Sequence, residues 1–183
     1  EMTICDISPY IDALITREGG YVDHPADRGG RTRWGITEAV ARQNGYSGDM
    51  RRLPRTKAEA IYRDLYWTAP TFDKVATRSP RLAIELLDSG VNVGPAVASG
   101  FLQRALNALN RNGRDFPDLV VDRHIGPLTL GALDSFLRVR GAEGEEVLRK
   151  AIDALQGVHY IHLAETNPSQ EAFAYGWIAN RIG

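Results

Sequence analysis

The strongest constraint on this chain is a helical hydrophobic period that proline repeatedly opens and that breaks down once. Ser8-Pro9, Ser79-Pro80, Pro95 and Pro127 each precede apolar residues three or four positions apart. Proline suits the first helical turn because its missing N–H would have no intrahelical partner there. The stripes are Ile11, Leu14 and Ile15; Leu82, Leu86 and Leu87; Phe101, Leu102, Ala105, Leu106 and Leu109; and Leu130, Leu133 and Leu137. Val147, Leu148, Ala151, Ile152 and Leu155 mark another, and a last one surrounds Phe173 and Trp177. Thr37 caps a short helix ending near Gly45, and Thr56 with Glu59 reads as a capping box ahead of Ile61 and Leu65. The pattern predicts about seven or eight helices.

Between Tyr21 and Ile36 the period vanishes, and YVDHPADRGGRTRWGI is punctuated by Pro25 and Gly29-Gly30. This predicts a turn-rich lobe with a small hairpin. No strand-helix-strand rhythm exists elsewhere, so the expected fold is mainly α, in an α+β arrangement: a helical bundle with a small β/turn lobe forming a cleft. At 183 residues the chain reads as a single domain. With 22 basic and 23 acidic residues the net charge is −1, which offers nucleic acid no general attraction. The single cysteine, Cys5, excludes an internal disulfide framework, and no apolar run approaches the roughly 18 residues needed to span a bilayer.

Glu18 follows Ile15 by three residues and Leu14 by four, so its carboxyl projects from the apolar stripe where Gly19-Gly20 stops the helix. Desolvation by that stripe and the negative end of the helix dipole both disfavour the charged form, so a raised pKa is expected, opposed by nearby arginines. Asp27 lies in the polar turn-rich stretch, where a solvated carboxylate stays ionised; Asp23 is the competing candidate. Two carboxyls in contrasting environments are the acid/base pattern that glycosidic bond cleavage requires. Thr32 has a hydroxyl suited to holding a water. For Glu18 a structural reading, satisfied by Arg17, competes with this one. His159 and His162 with Glu165, and His24 beside Asp23, raise a metal hydrolase, but no third ligand stands at a diagnostic spacing, so no metal or cofactor is expected. There is no nucleophile elbow, phosphate-binding glycine loop or paired-cysteine spacing.

EGGYVDHPADRGGRTRWGIT, residues 18–37, closely resembles the signature of glycoside hydrolase family 108, the N-acetylmuramidases of phages and bacterial genomes. IYRDLYW at 61–67, LLDSGVNVGPAVASGFLQRAL at 86–106, VDRHIGPLTLGAL at 121–133 and FAYGWIANRIG at 173–183 extend the resemblance in family order. It implies a lysozyme-like fold, Glu18 as the catalytic glutamate, and hydrolysis of the bond between N-acetylmuramic acid and N-acetylglucosamine in phage lysis. The Glu18-to-Asp27 step is that of the phage lysozymes, with an inverting course. Thr32 stands one position from their threonine, where this chain has Arg33. Residues 121–133 resemble the family's helical peptidoglycan-binding part, within a subregion spanning 95–183, with Arg123 where glycine is common. Ile125, Leu128, Leu130 and Leu133 in it also read as core.

Sugar recognition needs aromatic faces and placed amides, for which Tyr21, Trp34, Tyr62 and Asn92 are the candidates. Tyr66, Trp67 and Trp177 read as core. The expected partner is the peptidoglycan glycan strand, met by a monomer with no nucleic acid and no stable partner protein. The expected place of action is the cell wall, the periplasm in a Gram-negative host, with release from an N-terminal membrane anchor outside this chain also considered. A lytic transglycosylase, which forms anhydro ends without needing Asp27, and a noncatalytic wall-binding protein are the alternatives.

Overall fold

The computed structural model describes residues 5–23 and 30–183. Asp27, with His24, lies outside the described residues. The chain divides into two compact units, one running to Thr68 and the other covering Ala69–Gly183. Among the described residues there are eight α-helices and one small antiparallel sheet, a mainly α fold.

The first unit begins with α1, Ser8–Glu18, which buries Ile11, Leu14 and Ile15 on one face. Pro9 sits in its first turn as expected, but Ser8 is already helical; Asp6 Oδ1 accepts from the Ser8 N–H at 2.9 Å. Strands β1 (Tyr21–Val22), β2 (Thr32–Arg33) and β3 (Ile36–Thr37) pair in the order β1-β2-β3. Thr37 then caps α2, Glu38–Gln43, by accepting from Val40 N at 3.3 Å. A 3₁₀ turn, Met50–Arg52, leads to α3, Arg55–Arg63, which buries Ala58, Ile61 and Tyr62 against α1.

The Thr56–Glu59 capping box is not formed. Pro54 holds the N-cap position without a side-chain bond, Thr56 lies inside the helix, and Glu59 faces Arg55 at 3.4 Å. Proline's fixed φ already sets the helix entry, so no capping hydroxyl is required. One π-helical turn, Asp64–Thr68, continues α3; it turns Leu65 outward at 40% exposure and buries Trp67.

In the second unit α4, Phe72–Ala76, precedes α5, Pro80–Val93, whose N-cap Ser79 accepts from Leu82 N at 3.1 Å. Helix α6, Pro95–Ala108, packs against α5 and against α7, Pro127–Thr166. The two apolar stripes after Pro127 therefore belong to one helical run, broken at Gly141, whose φ of 60° and ψ of −153° only glycine adopts readily. Helix α8, Glu171–Arg181, lies on α7 and has no fully buried residue. Trp177, expected in the core, is half-buried, stacked on Phe173 and tilted against Tyr160, with centroids 5.9 and 5.2 Å away.

Residues 109–126 carry little regular structure, yet buried amides on α6 hold them. Gln103 Nε2 donates to Asp122 Oδ1 and His124 O, and its Oε1 accepts from Arg123 N. Asn107 exchanges two bonds with the Leu119 backbone, and Asn110 does the same with Phe116. These side chains replace the ladder partners that a strand would provide.

Two expectations for 121–133 are corrected. Only the part from Pro127 is helical, since the preceding backbone is engaged by Gln103. Ile125, Leu130 and Leu133 are buried, but Leu128 is 83% exposed because the first turn of α7 points it outward. Arg123 takes a left-handed φ of 66°, which explains why glycine suits this position. No helix among the described residues is long and apolar enough to cross a membrane.

Candidate active site

Glu18 is the last residue of α1, and Gly19, at φ 76°, ends the helix behind it. A two-residue turn between β2 and β3, Trp34-Gly35, approaches from the other side. Both turn residues have positive φ, 54° and 75°, as the tightest hairpins demand. A tryptophan in that conformation costs roughly 1–2 kcal/mol relative to the right-handed region. Its indole Nε1 donates to Leu53 O at 3.0 Å, and the guanidinium carbons of Arg33 and Arg55 lie 5.1 and 5.5 Å from its ring centroid. These contacts fix the turn.

Tyr62, from α3, donates its hydroxyl to Trp34 O at 2.8 Å. Gly35 therefore has no room for a side chain: a Cβ there would stand 2.3 Å from the Tyr62 hydroxyl oxygen and 2.9 Å from Glu18 Cβ. The helix end, the hairpin turn and α3 thus meet around Glu18. Tyr66 stacks on Tyr62 with centroids 5.9 Å apart. Burial raises the pKa of both phenols above the ordinary tyrosine range, and the Glu18 carboxylate adds to the shift in each. Both stay neutral.

The Glu18 carboxyl itself is more open than its apolar register implies. Its side chain is 43% exposed, and Arg17 Nε lies 3.7 Å from Oε1. Its Cβ and Cγ lie against the hairpin turn, 2.9 and 3.0 Å from where a Cβ at Gly35 would stand.

Asp23, at the end of β1, accepts from the Tyr21 hydroxyl at 3.1 Å and faces Arg31 at 3.7 Å. Arg51 covers the Tyr21 ring at 5.2 Å. Thr32 pairs with Val22 and Thr37, and its hydroxyl donates to Gly30 O at 3.2 Å. Arg33 beside it has a buried Nε with no hydrogen-bond partner among the described residues.

Of the residues named for sugar recognition, Tyr21 and Trp34 are half-buried in the sheet lobe. Tyr62 is 5% exposed and braces the hairpin through its bond to Trp34 O. Asn92 is half-buried on α5, in the second unit. Tyr66, expected in the core, is half-buried and within electrostatic reach of Glu18; its spacing of four from Tyr62 was the available signal. Gly35 is the residue that sequence reasoning missed; a glycine directly after Trp34 inside the aperiodic stretch was the available signal. No group of three or more His, Cys, Asp or Glu side chains suited to a metal ion exists among the described residues.

Residues 11–94 match a family model described as glycosyl hydrolase 108, and residues 97–182 match one described as a predicted peptidoglycan domain. Among solved structures, SagA of Brucella abortus is similar at 26% identity, covering 97% of this chain and 88% of that one with a TM-score of 0.58. No curated protein matches.

Proposed function

This chain is a glycoside hydrolase of the glycosyl hydrolase 108 family that acts on peptidoglycan, and on that premise we propose that it is an N-acetylmuramidase with Glu18 as its general acid. The observation that carries the proposal is the placement of Glu18, whose stem is clasped between α1, the Trp34-Gly35 turn and Tyr62 while its carboxyl remains open. A proton donor must be held still yet reach substrate.

In the proposed reaction Glu18 gives its proton to the glycosidic oxygen between N-acetylmuramic acid and N-acetylglucosamine. The bond from that oxygen to C1 breaks as positive charge develops on the sugar ring, and a water attacks C1. Asp27 is assigned as the carboxylate that takes the water's proton, with Asp23 the competing residue and Thr32 assisting the water. Asp23 already carries Arg31 and Tyr21 as partners, which favours Asp27 for the base. Tyr21 and Trp34 are assigned to the glycan, Tyr62 to positioning, and Asn92 to sugar binding from α5. Residues 95–183 are proposed to hold the wall-binding subregion, and host-cell lysis by a phage is the proposed setting. The proposed protein acts as a monomer on glycan strands of the cell wall.

The test is digestion of purified peptidoglycan by the protein and by Glu18→Gln, with the released sugar ends identified by mass spectrometry. Reducing N-acetylmuramic acid ends are expected, with at least about a 100-fold loss in the variant, the usual scale for a removed general acid. Full activity in Glu18→Gln would refute the assignment. Anhydro ends would establish a transglycosylase instead.

A further inference from the structure

A groove of about 660 Å³ opens in the second unit between residues 116–124 and the first turns of α7. That volume falls within the roughly 300–1,000 Å³ of small-ligand sites. Its walls are chiefly aliphatic, and two of them, Val120 and Leu128, are 80% and 83% exposed. The lining has no Tyr or Trp, and its phenyl ring, Phe116, is 7% exposed and presents no open face for a pyranose to stack on. Beneath lie buried polar groups: Gln103 Nε2 bonds Thr129 Oγ1 at 3.1 Å, and both residues are almost fully enclosed.

The charge in the lining has one sign among its fixed ions. Asp118 and Asp122 both line the groove, and no lysine or arginine does. Asp118 accepts from Asn110 at 2.8 Å. Asp122 Oδ1 accepts from Gln103 and from the His124 N–H, which holds its carboxyl below the usual carboxylate range. Both carboxylates are thus fixed in place before any ligand arrives. His124 also lines the groove. At its helical side Gly131 faces open space, with nothing within 4 Å of where a Cβ would stand. Alanine is the better helix former at such an interior position, so the glycine keeps the groove wide at a cost in stability.

We infer that this groove binds the peptide stem of peptidoglycan: small aliphatic side chains lie along Val120 and Leu128, and the free ammonium of the stem's diamino acid meets Asp118 and Asp122. The inference rests on the peptidoglycan reading and deepens it, since it assigns the second unit to the peptide rather than the glycan. Alanine methyls match aliphatic walls, and an ammonium matches two fixed carboxylates; the glycan strand carries acetyl methyls but no ammonium.

The probe is the glycan-free stem tetrapeptide of alanine, γ-linked glutamate, diaminopimelate and alanine, titrated into the full chain and followed by backbone amide shifts and calorimetry. Saturable binding is expected, with shifts at 116–135. At least a tenfold loss is expected in Leu128→Gln, which removes the aliphatic wall without adding charge, and again when the side-chain ammonium is acetylated. Leu128 is exposed, so that variant keeps its fold; Gly131→Trp, which fills the groove, gives a second reading. A chitin hexasaccharide that shifts these amides while the tetrapeptide does not would overturn the inference, as would tetrapeptide binding indifferent to Leu128→Gln and to acetylation, or no binding at millimolar peptide. Cleavage by Glu18→Gln is measured separately, so failure of the muramidase reading leaves a different signature from failure of the groove.

Discussion

Replacing Gly35 by alanine is expected to damage stability and turnover together, and the geometry sets the scale. The added methyl would lie 2.3 Å from the Tyr62 hydroxyl oxygen and 2.9 and 3.0 Å from Glu18 Cβ and Cγ. None of these can share space with a carbon atom. Tyr62 is 5% exposed, so its ring cannot swing into solvent and must shift against packed neighbours. Alanine at φ 75° adds left-handed strain of roughly 1–2 kcal/mol. Pushing the buried phenol off Trp34 O leaves it unpaired at roughly 1–3 kcal/mol. The total is about 2–5 kcal/mol.

Urea unfolding of Gly35→Ala, Tyr62→Phe and the double variant measures this as a cycle. Tyr62→Phe alone is expected to cost about 1 kcal/mol, the net value of one hydrogen bond. It also removes the oxygen that the new methyl meets first. Gly35→Ala should therefore cost at least about 1 kcal/mol less in the Tyr62→Phe background, a coupling well above the roughly 0.3–0.5 kcal/mol scatter of independent sites. Turnover should fall about 100-fold in Gly35→Ala, the usual penalty for moving a catalytic group by about 1 Å. Additive stabilities, or a Gly35→Ala protein with unchanged stability and cleavage, would refute the idea that this turn sets the position of Glu18.

Two further outcomes follow from the second unit. Burial, then His162 and Arg123, lowers the pKa of His159 below its ordinary 6.5, so the folded state favours neutral imidazole. Its stabilising contribution is whole above pH 6.5 and is lost as pH falls through the lower folded value; His159→Gln should flatten this part of the unfolding-midpoint profile against pH. Asn110→Ala should cost about 2–4 kcal/mol, because the Phe116 N–H and C=O lose their partner together, and hydrogen exchange at 115–119 should accelerate.

Local chemistry alone determined a good deal of this protein. Pro9, Pro80, Pro95 and Pro127 mark the helix starts because proline's constraint acts within one residue, and Ser79 and Thr37 cap as their side chains dictate. The loss of period after Tyr21 announced the sheet lobe, and Glu18 ends α1 where Gly19 permits the turn. Where two local signals competed, sequence reading failed: the capping box at Thr56 gave way to Pro54.

What remained needed contacts between residues far apart in the chain. The carboxyl of Glu18 stays open while its stem is clasped, which depends on Gly35 and Tyr62, 17 and 44 residues downstream. The absence of helix before Pro127 depends on how Gln103 engages the backbone at Arg123 and His124. Periodicity tells which face of a helix is apolar, because that is a property of 3.6 residues per turn. It does not tell what stands opposite that face, because packing is decided only when distant segments compete for the same space.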